Sequence, residues 1–70
     1  MKGFIEVTMR ENNGKLLIAI SSISLVEEYP NSQCRIVLKE KVEDTGLNLV
    51  SIVNLSYPMV KILIEKAQTE

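Results

Sequence analysis

Seventy residues make one domain, read as 1–70, and a chain this short buries so small a share of its surface that a staple or a partner is expected. A lone Cys34 excludes an intrachain disulfide, and the lack of histidine removes the usual zinc spacings and any nucleophile that relies on a histidine base. Eight basic and nine acidic residues are spread along the chain for a net charge of -1, so no overall field draws it to nucleic acid or an anionic membrane.

The opening Met1-Lys2-Gly3-Phe4-Ile5-Glu6 carries a charge at its sixth residue and lacks the apolar run of a signal peptide. No stretch approaches the eighteen uninterrupted apolar residues of a membrane span, so a cytoplasmic protein without membrane insertion is expected. From Phe4 to Arg10 the chain alternates, with Ile5, Val7 and Met9 on one face and Glu6, Thr8 and Arg10, joined by Phe4, on the other. Asn13-Gly14 suits a two-residue type I′ turn, because both residues tolerate positive φ. That turn sets Met9 opposite Ile18 and Val7 opposite Ile20.

The longest apolar run, Leu16 to Val26, is interrupted at Ser21-Ser22-Ile23, where the two serine hydroxyls compete for nearby backbone and predict a bend or a single helical turn. A third strand follows from Ser24 to Tyr29, and Tyr29-Pro30-Asn31-Ser32 marks a second turn before Cys34 to Lys39. With Asn31-Ser32 as the turn, Leu25 faces Leu38 and Glu28 faces Arg35, an opposite-charge pair, while Glu27 falls beside Ile36 and needs an edge or solvent. Lys39 to Gly46 is the most charged stretch and reads as a solvated hairpin tip. Leu47 to Val53 is apolar on both faces apart from Asn48 and Ser51. Ser56 is an N-cap residue type and Pro58 needs no donor in a first turn, so a helix is predicted over about 57–68. Its stripe is Tyr57, Val60, Leu63, Ile64 and Ala67, and Met59 and Ile62 widen the apolar arc.

These elements make a mainly β, α+β domain: five antiparallel strands near residues 4–10, 15–20, 24–29, 34–39 and 47–53, as a meander or small barrel, with one C-terminal helix. No Gly-rich phosphate loop arises from Gly3, Gly14 and Gly46, and no metal or cofactor site is expected. The neighbours Glu27-Glu28 point to opposite faces of a strand, and Glu43-Asp44 lie in a charged loop, so neither pair suggests acid–base work and no enzyme is expected. Lys2, Arg10, Lys15, Arg35, Lys39 and Lys41 have acidic neighbours and no stacking aromatic among them, which argues against nucleic acid. Surplus apolar residues on the fifth strand and helix, namely Val50, Ile52, Met59 and Ile62, point instead to an interface, most simply of a two-fold homodimer.

The opening Val7-Thr8-Met9-Arg10, the turn ending in Gly14, the stretch Ile20-Ser21-Ser22-Ile23-Ser24-Leu25-Val26-Glu27, and the closing Val53-Asn54-Leu55-Ser56-Tyr57 with Val60 and Leu63-Ile64 resemble the FlbD/SwrD type of small flagellum-associated protein. That resemblance implies a non-enzymatic accessory or assembly role and brings no catalytic residues. The strands-then-helix layout is also similar to the CsrA type of RNA-binding regulator, whose subunits interlock as dimers. The alternative it implies is post-transcriptional regulation.

Overall fold

The computed structural model describes residues 2–69. Among them the chain forms β1 (Phe4–Thr8), β2 (Lys15–Ala19), β3 (Ile23–Tyr29), β4 (Gln33–Lys41), β5 (Asn48–Val53) and α1 (Tyr57–Thr69). A single 3-10 turn, Ile20–Ser22, joins β2 to β3 at the predicted serine interruption. The strands form a two-stranded antiparallel sheet, β1-β2, and a three-stranded one, β3-β4-β5.

The first hairpin keeps its predicted faces but not its predicted register. Val7 lies opposite Leu16 and Ile5 opposite Ile18, four residues from the expected pairing. The loop is longer than two residues: Met9 N–H donates to the Gly14 carbonyl at 2.8 Å, and Asn13 N–H to the Met9 carbonyl at 3.1 Å. Of the pair expected to take positive φ, only Asn13 does, at 56°. Gly14 N–H donates to Asn12 Oδ1 at 2.8 Å, so a side-chain-closed turn replaces the type I′ turn. Because the shift is even, Ile5, Val7 and Ile18 still reach the core.

The second hairpin is corrected by one residue. Tyr29 pairs with Gln33, so Pro30, Asn31 and Ser32 form a three-residue loop in which Asn31 and Ser32 both have positive φ. Arg35 therefore faces Glu27, not Glu28, and is ion-paired to it. Val26 replaces Glu27 beside Ile36, so the carboxylate that seemed to need an edge sits on the outer face. A bulge between Ile23 and Leu25 shifts the ladder, which resumes with Ile23 opposite Leu38. β4 runs two residues further than predicted. Its pairing with β5 is interrupted between Val37 and Lys41, where Asn48 Nδ2 donates to the Leu38 carbonyl at 2.8 Å. Val42 and Leu47 close the charged tip, which is exposed as expected.

The two sheets meet beyond the end of β1. Arg10 N–H donates to the Ile52 carbonyl at 2.9 Å, Asn54 N–H donates to the Thr8 carbonyl at 2.8 Å, and Met9 bridges Val53. This places the strands in the spatial order β2-β1-β5-β4-β3, with β2 and β3 unpaired to each other. The barrel alternative is thus not realised. The 3-10 turn redirects the chain, with Ile20 N–H held by the Gly3 carbonyl at 2.9 Å, and β3 leaves β2 without running alongside it. α1 packs across β1, β3 and β4, and its C-terminal turn is tied to the start of β1 by Gly3 N–H donating to the Ala67 carbonyl. Val60 and Ala67 are buried and Tyr57, Leu63 and Ile64 pack on the core, as the stripe predicted. Cys34, Ile36 and Leu38 of β4 and Val53 of β5 supply the sheet side of that core.

Candidate interaction surfaces

Alternation in the first hairpin decides which backbone groups face outward. Gly3 with Ile20 and Met9 with Gly14 are hydrogen-bonded positions of one antiparallel ladder, so Leu16 and Ile18 bond inward to β1. Lys15, Leu17 and Ala19 consequently turn their N–H and C=O groups away from β1, along an edge with no strand partner among the described residues. Beside that edge lies an open groove of about 450 Å³, whose lining includes Met9, Ala19, Ser22, Glu40 and Ser51. Leu16, Ile18, Leu38 and Leu49 line it, and Glu40 is its charged member. The groove exists because the sheets do not close: β2 and β3 are not paired, and Leu38 and Leu49 lie where the β4–β5 ladder is interrupted.

The four residues expected at an interface fall into two pairs. Val53 points into the core under α1, so Val50 and Ile52 project from the reverse face of the sheet, opposite Val37 and Arg35. Val50 is exposed and Ile52 half-buried. Met59 and Ile62, three apart on α1, are both exposed and point away from the core. One pair thus lies on the sheet side and the other on the helix side, not on one patch. Period told which residues were surplus. It could not tell that α1 covers the Val53 face of β5.

The sheet's reverse face also holds an arrangement that local spacing did not reveal. The Arg10 guanidinium lies 5.7 Å from the centre of the Tyr29 ring. This corrects the expectation that no aromatic stands among the basic residues. Nearby, Gln33 Nε2 donates to Asn54 Oδ1 at 2.9 Å, and Asn54 Nδ2 to Asn13 Oδ1 at 3.1 Å. Arg10 and Tyr29 are nineteen positions apart and meet only because β1 crosses onto β5.

No family model matches the chain, and no curated protein or solved structure matches it either. The site must be read from its own chemistry. Among the described residues no three His, Cys, Asp or Glu side chains gather as a metal would need, and no helix is long and apolar enough to cross a membrane. Cys34 is fully buried in the core, and burial pushes its thiol pKa up, away from the thiolate that a nucleophile requires.

Proposed function

We propose that this protein is a non-enzymatic, cytoplasmic interaction module that self-associates and serves an accessory or assembly role, as the FlbD/SwrD resemblance implies. The observation carrying this reading is that the fold's large concave surface is an aliphatic groove beside an unpaired strand edge. Such a surface recognises backbone and apolar side chains of another protein and provides no paired acid and base. Sedimentation equilibrium over a wide concentration range tests it. A mass of two or more chains is expected, and a monomer at every concentration overturns self-association.

A second reading is favoured by Arg10 over Tyr29, with Arg35 and Lys39 on the same sheet face: single-stranded RNA could stack and neutralise phosphate there. Filter retention of RNA separates the two. Retention that falls steeply with salt and is lost in Arg10→Ala and Tyr29→Ala would favour RNA, because phosphate contacts release counterions. No retention at low salt is the expected result, since Arg35 is already paired to Glu27.

A further inference from the structure

Five asparagines stand in the chain, and only Asn13 is followed by glycine. With no Cβ on Gly14, its backbone nitrogen is the least shielded of those that follow an asparagine, and Ser32 after Asn31 comes next. Asn13 is exposed and sits at a φ of 56° in the loop that closes the first hairpin. Its neighbours tie down both groups that could react. Gly14 N–H donates to Asn12 Oδ1 at 2.8 Å, and Asn54 Nδ2 donates to Asn13 Oδ1 at 3.1 Å. Asn54 is itself fixed, because its Oδ1 accepts from Gln33 Nε2 and its N–H donates to the Thr8 carbonyl.

We infer that Asn13 is a modification site: in the open chain its side-chain amide is lost to the Gly14 nitrogen through a cyclic imide, and in the folded chain the bonds from Gly14 to Asn12 and from Asn54 to Asn13 hold that reaction back. The Gly14 nitrogen gives its proton to hydroxide and forms a bond to Asn13 Cγ. The Cγ–Nδ2 bond breaks, and ammonia leaves with a proton taken from water. Water then opens the imide. Attack at Cγ leaves an aspartate in place of the asparagine, and attack at the main-chain carbonyl leaves an isoaspartyl linkage that runs through Cβ and Cγ.

The fold resists at two points. The Gly14 proton that must leave is engaged by Asn12 Oδ1, and the carboxamide that must turn toward Gly14 is engaged by Asn54. The two products differ in what they do to the joint between the sheets. An aspartate keeps an acceptor for Asn54 Nδ2 and adds a negative charge. An isoaspartyl linkage lengthens the backbone between Asn13 N–H, which donates to the Met9 carbonyl, and the Gly14 carbonyl, which accepts from Met9 N–H. It therefore loosens the turn beside the Arg10 bond to Ile52. None of this depends on self-association.

Peptide mass spectrometry of the full-length protein follows acid formation at each asparagine, and hydroxylamine, which cleaves the imide, marks the intermediate. Incubation at mildly alkaline pH across a urea series gives the wild-type rate at each unfolded fraction, read by circular dichroism. In high urea Asn13 is expected to react ahead of every other asparagine. In the native protein it should react at least about tenfold more slowly, because two hydrogen bonds must open first. Asn54→Ala and Asn12→Ala each remove one of those bonds. Either variant should raise the rate at Asn13 roughly threefold to tenfold over wild type compared at the same unfolded fraction, the factor that one net hydrogen bond represents. Matching the unfolded fractions separates a lost bond from a destabilised fold, and Asn12→Ala leaves the contact with Asn54 in place should Asn54→Ala unfold the chain. Equal rates in native and unfolded wild type, or Asn31 reacting ahead of Asn13 in urea, overturn the site. Variants that match wild type at equal unfolded fraction overturn the protection.

Discussion

Cys34 and Ile36 show how much of this protein hangs on single positions in β4. Both are wholly buried, on a strand paired on each side. Ile36→Ala should cost about 2–5 kcal/mol, a large share of what so small a domain can have, and urea unfolding measures it. Cys34 adds a pH dependence. Desolvation raises its pKa in the folded chain above the ordinary 9.0, so the folded state keeps a proton that the unfolded state releases. The stability tied to that proton is fully present below pH 9.0 and declines as pH rises from there through the folded value. Cys34→Ala lowers stability through the lost sulfur contacts, but it should abolish this decline. The difference between the two unfolding free energies should therefore narrow as pH is raised above 9.0. A constant difference would show that the thiol does not titrate differently in the two states.

At the scale of elements, the turns decided what the strands left open. Period-two alternation located the first and fourth strands, and apolar runs bounded by turn signals located the other three. Register, however, was set by loops of four and three residues where tighter turns were expected. Ser32 is held at a φ of 58°, where a Cβ crowds the backbone. Ser32→Gly should therefore stabilise the second hairpin by about 0.5–1 kcal/mol and raise the melting temperature. A lowered melting temperature would mean that the Ser32 side chain does more for the loop than its strain costs. Ser56 meets its expectation as a cap: Met59 N–H donates to Ser56 Oγ at 3.4 Å. That distance is long, so Ser56→Ala should cost toward the lower end of the capping range, about 0.5 kcal/mol, read by thermal or urea unfolding.

For the molecule as a whole, the test lies in which exposed apolar residues matter. Ile62 is 46% exposed on the outer side of α1 and shares no surface with Val50 or Ile52. Ile62→Glu is expected to change stability by less than about 1 kcal/mol and to leave the mass of the assembly unchanged by sedimentation. A dissociated or unfolded product would return the interface to the helix. Local chemistry alone determined the element order, the buried stripe of α1, the solvated tip from Lys39 to Gly46 and the break at Ser21-Ser22. All of these follow from side-chain period, capping and turn preference within a few residues. Tertiary structure decided which face of β5 the helix covers, that Arg10 lies over Tyr29, that β2 and β3 stay apart, and that β2 keeps an open edge. Each of these depends on how two hairpins cross at Met9 and Val53, a contact between residues forty-four positions apart for which neither residue's neighbours carry a signal.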